Sequence, residues 1–332
     1  MTPQPDAAGS DGGGTAASPA PVEIVRVPTE SRNPGTYDID RLPTLDLLRM
    51  INAEDATVAQ AVAAVLPELA RAVDSGVGAL RRGGRIHYFG AGTPGRIATA
   101  DAAELPPTFG TDPGTVLSHH AGGAQTLGQA SEGIEDDAEL GAADAAAVRS
   151  NDLAVGLTAS GRTPYVAGAL GAARRAGAAT VLVSANPQAP LGAEADVHVA
   201  ADTGAEVIAG STRMKAGTAQ KLVLNAFSTA VMVRLGRTYS NLMVGVDATN
   251  AKLRGRAITI LTEASGADED SCAAALADTG GDTRAALVCL LTGASPARAA
   301  AELAACEGRV RDALHRIDAP GGASCARRGR PS

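Results

Sequence analysis

Five short apolar runs, separated by helix-length intervals, constrain this chain more than any other feature. They are Ile86–Phe89, Thr115–Ser118, Leu153–Leu157, Thr180–Ser184 and Val197–Ala200. Strands alternating with helical segments read as a parallel sheet covered on both faces. Upstream, Leu47, Ile51, Val58, Val62, Leu66 and Leu69 recur at helical spacing, which predicts one or two helices before the sheet. Asp38-Ile39-Asp40 and Thr44 are turn and cap residues for them. The last helix of the sheet region is expected to begin near Ser211 and to include the apolar stretch Leu222 to Val233. After about Gly236 the strand signals stop. Asp282 and the pair Ser295-Pro296 then mark helix starts, the second with proline at the first helical position. The expected architecture is α/β: a parallel five-stranded sheet flanked by helices, an N-terminal helical arm, and a small C-terminal subdomain of three or four helices.

Two turns carry the chemistry. Gly90-Ala91-Gly92-Thr93-Pro94-Gly95-Arg96 follows the first run, and Thr158-Ala159-Ser160-Gly161-Arg162-Thr163-Pro164 follows the third. Each sits where a strand ends and a helix begins, so free N–H groups and the helix dipole favour an anion there. Hydroxyls of Thr93, Ser160 and Thr163 add donors. A single such turn can be glycine-rich for backbone reasons alone. Gly95 falls outside the spacing of a dinucleotide fingerprint, and no Walker-type Gly-Lys-Ser/Thr ending is present. Two hydroxyl-bearing turns in one sheet favour a small phosphorylated metabolite.

Composition narrows the class further. Only 2% of residues are aromatic, there is no Trp, and glycine numbers 39, so the core must be built from small aliphatic side chains in close contact. A net charge of −7 without a basic run argues against a nucleic-acid surface. Cys272, Cys289, Cys306 and Cys325 have neither zinc nor redox-dithiol spacing and read as idle thiols of a reducing cytosol. The first 22 or so residues are mostly Gly, Ala, Pro, Ser and Asp, which reads as a disordered tail rather than a signal peptide. The Leu222–Val233 stretch is too short for a membrane span and contains Asn225, Ser228 and Thr229. A cytoplasmic protein is expected.

Single residues are less decisive. Glu104 precedes Leu105-Pro106-Pro107, which predicts a helix ending near it. There the negative end of the dipole would raise its pKa and suit a proton donor; an exposed Glu before a turn is the plainer reading. Glu135 lies in the acidic stretch Glu132-Gly133-Ile134-Glu135-Asp136-Asp137, where nothing physical selects it over Glu132. Adjacent His119 and His120 face opposite sides of a strand and cannot readily share a metal. Arg213, Lys215 and Lys221 place positive charge at a helix start, which suggests either an anionic ligand or pairing with an acid such as Glu206.

The chain resembles the sugar isomerase (SIS) domain and, within that group, the N-acetylmuramic acid 6-phosphate etherases. The matching segments begin with Thr29-Glu30-Ser31-Arg32-Asn33-Pro34, Ile51-Asn52-Ala53-Glu54-Asp55 and the turn at Gly90. They continue with Asp101-Ala102-Ala103-Glu104-Leu105-Pro106-Pro107-Thr108, Glu132 to Asp136 and Ala159 to Tyr165. The last are Gly210 to Lys221 and Asn241-Leu242-Met243-Val244. They run from about residue 28 to 316. The resemblance implies cleavage of the lactyl ether of N-acetylmuramic acid 6-phosphate by water, without metal or nucleotide cofactor. The products are N-acetylglucosamine 6-phosphate and D-lactate, formed by elimination and hydration. It implies Glu104 as the acid assisting lactate departure and Glu135 as base. The substrate set it implies is Gly92, Thr93, Ser160, Gly161, Arg162, Thr163, Glu206, Ser211, Thr212 and Lys215.

Two departures stand out: Pro94 replaces the family's usual Ser, and Asp-Ala-Ala-Glu replaces Asp-Ala-Ser-Glu. The expected layout is a tail (1–28), an arm (29–74), the SIS domain (75–238), a helical subdomain (239–317) and a frayed end (318–332). An aldose–ketose phosphate isomerase, and a non-catalytic sensor like the glucokinase regulatory protein, are the competing readings. If the helix from Pro94 to Glu104 is continuous, the carboxyl lies roughly 15 Å from the phosphate end. Either that helix bends early, or Glu104 serves the phosphate site of a neighbouring subunit, which would make the protein a homodimer with sites near the subunit interface.

Overall fold

A computed structural model of the chain describes residues 27–129, 133–245 and 251–318. The predicted tails, apart from a few residues at their inner ends, and Glu132 lie outside the described residues. The arm comprises α1 (Thr44–Asp55), α2 (Val58–Ala63) and α3 (Leu66–Arg81). It therefore holds three helices where the periodicity predicts one or two, because the chain breaks between Asp55 and Val58 and again before Pro67. The central region runs β1 (Ile86–Gly90), α4 (Gly92–Phe109), β2 (Val116–His120), α5 (Ala138–Asp144) and β3 (Leu153–Leu157). It continues with α6 (Pro164–Arg175), β4 (Ala179–Ser184), β5 (Val197–Ala200) and α7 (Lys215–Arg234). All five predicted strands are present, the third and fifth with the predicted ends and the others shifted by a residue or two. They form one parallel sheet in the order β2-β1-β3-β4-β5.

Alternation along the strands sorts the core into two layers. Ile86, Tyr88, Leu153, Val155, Leu157, Val181 and Val183 face α3, α4 and α7. Phe89, Ala154 and Leu182 face α5 and α6. The small-residue composition shows its use between α5 and α6. A Cβ on Gly141 would lie 1.9 Å from the Tyr165 carbonyl oxygen, and one on Gly168 1.9 Å from that of Ala138. The two backbones touch, so only glycine fits at either crossing point.

Helices α8 (Ala251–Ser265), α9 (Glu269–Asp278), α10 (Thr283–Thr292), α11 (Pro296–Ala305) and α12 (Val310–Asp318) build a third core. It includes Leu261, Cys272, Leu287 and Val310. Asp282 caps α10 and Ser295 caps α11, as the sequence predicts, but the subdomain has five helices among the described residues rather than three or four. Among the described residues no single helix is long and apolar enough to cross a membrane.

Candidate active site

The winding of the sheet reverses between β1 and β3, and open α/β sheets bind ligands at the carboxyl edge of that switch point. Gly90 is paired in register with Leu157, so the two glycine- and hydroxyl-bearing turns leave adjacent strands side by side. In the first turn, a Cβ on Gly95 would fall 2.4 Å from the Gly90 oxygen and 2.5 Å from the His120 ring. Gly95 is thus fixed by the close approach of α4 to the strand ends. Ala91 caps α4 without a side-chain hydrogen bond, and Gly92 takes a left-handed φ of 60°. Pro94 is the third residue of α4, not the first, yet still within the turn whose N–H groups have no intrahelical acceptor. The helix therefore forms without the hydroxyl that a Ser would supply.

The second turn is organised by Thr158, whose role the sequence reading missed. Its hydroxyl pairs with Thr163 Oγ1 at 2.8 Å, approaches Ser160 Oγ at 3.5 Å, and accepts the Gly161 N–H at 3.2 Å. Asn186 Nδ2 donates to the Ser160 carbonyl at 3.0 Å. Gly161 has φ 73°, and a Cβ there would meet Ala189 Cβ at 2.1 Å. Thr163 caps α6 with its hydroxyl turned to Thr158 rather than to the helix, and Pro164 opens the helix. Ser160, Arg162 and Thr163 are half-buried at this edge.

The third segment of the predicted set borders the first turn: a Cβ at Gly217 would lie 3.3 Å from Thr93 Cγ2 and 3.4 Å from the Thr212 oxygen. Helix α7 begins at Lys215, four residues later than predicted, because Glu206 fixes its start. The fully buried Glu206 carboxylate accepts the N–H groups of Lys215 at 2.9 Å and Ala216 at 3.0 Å. Burial pushes its pKa up, while the two backbone donors oppose that. Lys215 is buried and donates through Nζ to Glu54 at 2.7 Å, which holds the Glu54 carboxyl below its usual range. Glu206 thus fixes the start of α7, and Lys215 ties the arm to that helix through Glu54. Ser211 and Thr212, both half-buried, remain beside the turns. The arm also reaches this segment at Gly210, whose N–H donates to the Thr29 carbonyl at 3.0 Å.

The two predicted carboxyls are placed differently. Glu135 sits exposed in a 3₁₀ turn, Ile134–Asp136, that packs on α6 and against Gly122, just beyond the end of β2. It lies at the edge that carries the turns. Arg96, also missed from sequence, supports the loop leading to it. Its guanidinium donates to the carbonyls of Leu127 (2.7 Å), Thr126 (3.1 Å) and Gln129 (3.2 Å). His120 Nδ1 and Thr126 Oγ1 are 2.9 Å apart within the same loop. His119 turns to the opposite face, as predicted, and stacks on Phe89 with ring centroids 4.5 Å apart.

Glu104 does not end a helix. Helix α4 runs through Pro106 and Pro107 to Phe109 and is closed by left-handed Gly110, whose N–H donates to the Pro106 carbonyl. The prolines remove two donors, but Leu105 and Phe109 are buried in the sheet layer, and that burial carries the helix past them. The dipole argument for Glu104 therefore falls, since the negative end lies beyond it. Twelve residues separate Gly92 from Glu104, roughly 18 Å along the axis. Glu104 is exposed on the outer face of α4, with Ala100, Ala103 and Pro107.

One turn before it, Asp101 anchors α4. It accepts hydrogen bonds from Tyr88 Oη at 3.0 Å and Ser228 Oγ at 2.9 Å, linking β1, α4 and α7. Burial raises its pKa from 3.8 to about 6, against the lowering effect of both donors. Near pH 4 the folded protein keeps this proton and is not penalised. As pH rises through 6 the buried charge forms and stability falls, by about 3 kcal/mol for a shift of this size. Asp101→Asn should therefore gain stability relative to the parent between pH 4 and 7. Urea unfolding of both chains across that range checks this, and a pH-independent difference would refute it.

Comparison with known proteins agrees with this geometry. The SIS domain family model matches residues 125–230, and that of the glucokinase regulatory protein N-terminal SIS domain matches residues 68–174. The chain is 73% identical over 273 residues to the N-acetylmuramic acid 6-phosphate etherase of Thermobifida fusca, covering 82% of this chain and 90% of that one. It is 52% identical to the Symbiobacterium thermophilum etherase (82% and 91% covered) and 50% identical to that of Cutibacterium acnes (86% and 95%). The chain belongs to the N-acetylmuramic acid 6-phosphate etherase family.

Proposed function

We infer that this protein cleaves the D-lactyl ether of N-acetylmuramic acid 6-phosphate with water, a carbon–oxygen lyase reaction of cell-wall amino sugar recycling in the cytoplasm. The observation that carries the reading is the pair of hydroxyl-bearing helix starts, neither closed by a side-chain cap bond, at the β1/β3 switch point in a chain of this family. The phosphate sits over Gly92 and Thr93 on one side and Ser160, Gly161, Arg162 and Thr163 on the other, with Ser211 and Thr212 alongside. The sugar opens to its aldehyde, which acidifies the proton on carbon 2. Glu135 takes that proton, and Glu104 donates one to the ether oxygen as lactate leaves carbon 3. Water then adds across the resulting double bond, its hydroxyl to carbon 3. The residues that do this work are ordinary acids and hydrogen-bond donors, and no metal or nucleotide enters any step.

Carbon 3 is only three carbons from the phosphate-bearing carbon, so the roughly 18 Å run of α4 is too long for one chain to present both ends. The outward face of Glu104 fits a homodimer in which one protomer supplies the phosphate turns and its partner supplies Glu104. A sugar isomerase would not need this acid, which stands against that alternative.

Ser160→Ala and Thr163→Val should each weaken substrate binding by about 1 to 3 kcal/mol, the cost of leaving a phosphate oxygen unpaired. Thr163→Val also breaks the pair with Thr158, so its effect should be the larger. Pro94→Ser should tighten binding by restoring a donor. Steady-state lactate release against substrate concentration reads all three, and unchanged KM values would mean that the phosphate binds elsewhere.

A further inference from the structure

At the opposite, amino-terminal edge of the sheet lies a second cavity, of about 430 Å³, between the central domain and the C-terminal helices. Its floor is apolar, from Leu80, Met232 and Leu235, and its walls carry Arg81, Arg237 and Arg284 with a single carboxylate, Glu307. That carboxylate is already shared. Glu307 Oε2 lies 3.3 Å from Arg81 Nε and 2.9 Å from Arg309 Nη1. Glu307 holds a left-handed φ of 54°, which a non-glycine residue adopts at a cost. Arg237 donates to the Gly110 carbonyl at 3.2 Å.

Arg284 is the distinctive group. Its side chain is only 24% exposed, and its Nε makes a long ion pair with Asp282 at 3.7 Å, without a hydrogen bond. That Asp282 carboxylate already accepts the N–H groups of Arg284 and Ala285 as the cap of α10. The two Nη groups of Arg284 have no hydrogen-bond partner among the described residues. They are open to solvent in the cavity and taken up by no acceptor among those residues, so an anion entering there meets charged donors that are ready to pair.

We propose that this cavity binds a small oxyanion, the head of a phosphate ester or a carboxylate, with Arg284 as its principal anchor and Arg81 and Arg237 flanking it. The volume suits a compact ligand, the fork of Arg284 suits paired oxygens, and the apolar floor suits a short carbon body. The site is separate from the phosphate turns, which lie at the other edge of the same strands. A bound anion would join α3 of the arm to α10 of the C-terminal subdomain, so its presence should be felt as stability.

Thermal unfolding tests this with inorganic phosphate and with D-lactate, at ionic strength matched by chloride. The chain used is the double variant Ser160→Ala, Thr163→Val, so that binding at the turns is weakened. One or both anions should raise its Tm saturably, by about 3 °C at tenfold excess over Kd. The anion that does so identifies the head group, and adding Arg284→Met should remove the rise. No rise with either anion, or a rise that survives Arg284→Met, would overturn the proposal. If the Arg284→Met chain does not fold, the amide resonances of Gly84 and Gly308 in the parent replace it. Saturable shifts of both with either anion support the site, and their absence overturns it.

Discussion

Glu104→Gln should lose lactate release by about 10²- to 10⁴-fold, the usual worth of a positioned general acid, while still exchanging the carbon 2 proton with solvent deuterium. Glu135→Gln should lose both. The asymmetry follows from the order of events: proton removal at carbon 2 needs only the base, whereas departure of lactate needs the acid as well. It also follows from placement, because Glu135 lies at the turn-bearing edge and Glu104 lies far along α4. Deuterium incorporation into unreacted substrate, followed by NMR, separates the two steps. Loss of exchange in the Glu104 variant with exchange retained in the Glu135 variant would reverse the roles.

Equally large is the effect expected when two damaged chains are mixed. Glu104→Gln alone and the Ser160→Ala, Thr163→Val chain alone should each be nearly inactive. In a purified heterodimer one of the two shared sites combines intact phosphate turns from one chain with an intact Glu104 from the other. The second site gathers all the damage. Activity should therefore recover to about half that of the parent dimer, as two-fold symmetry requires. A heterodimer as inactive as its parts would place Glu104 in its own subunit's site. The long α4 would then have to bend in solution to bring Glu104 to the turns.

The five strands and both turns were legible because a buried parallel sheet demands apolar runs and its switch point demands glycine. The caps at Asp282 and Ser295 were legible for a similar reason, a local hydrogen bond with a local signature. The course of α4 was not. Pro106-Pro107 is a strong local stop signal, and only the burial of Leu105 and Phe109, a tertiary fact, overrides it. The start of α7 was misplaced because the group that caps it, Glu206, lies nine residues before Lys215. Charge at Lys215 left an anionic ligand and an acid such as Glu206 both open, and the acid it pairs with in the fold is Glu54, 161 residues away. Arg96 reads as one more charge in a helix. Its three carbonyl acceptors appear only once the loop after β2 folds over it. Positions whose signal is local were readable, and those whose partners are distant were not.

Lactate is expected to leave carbon 3 of the sugar, with water taking its place. Incubating the protein with N-acetylmuramic acid 6-phosphate in ¹⁸O-labelled water, with a chelator present, follows that exchange atom by atom. D-lactate should be released with the unlabelled ether oxygen retained, and one ¹⁸O should enter the hydroxyl on carbon 3 of N-acetylglucosamine 6-phosphate. Label in the lactate, a ketose phosphate as product, or activity abolished by the chelator would contradict that exchange.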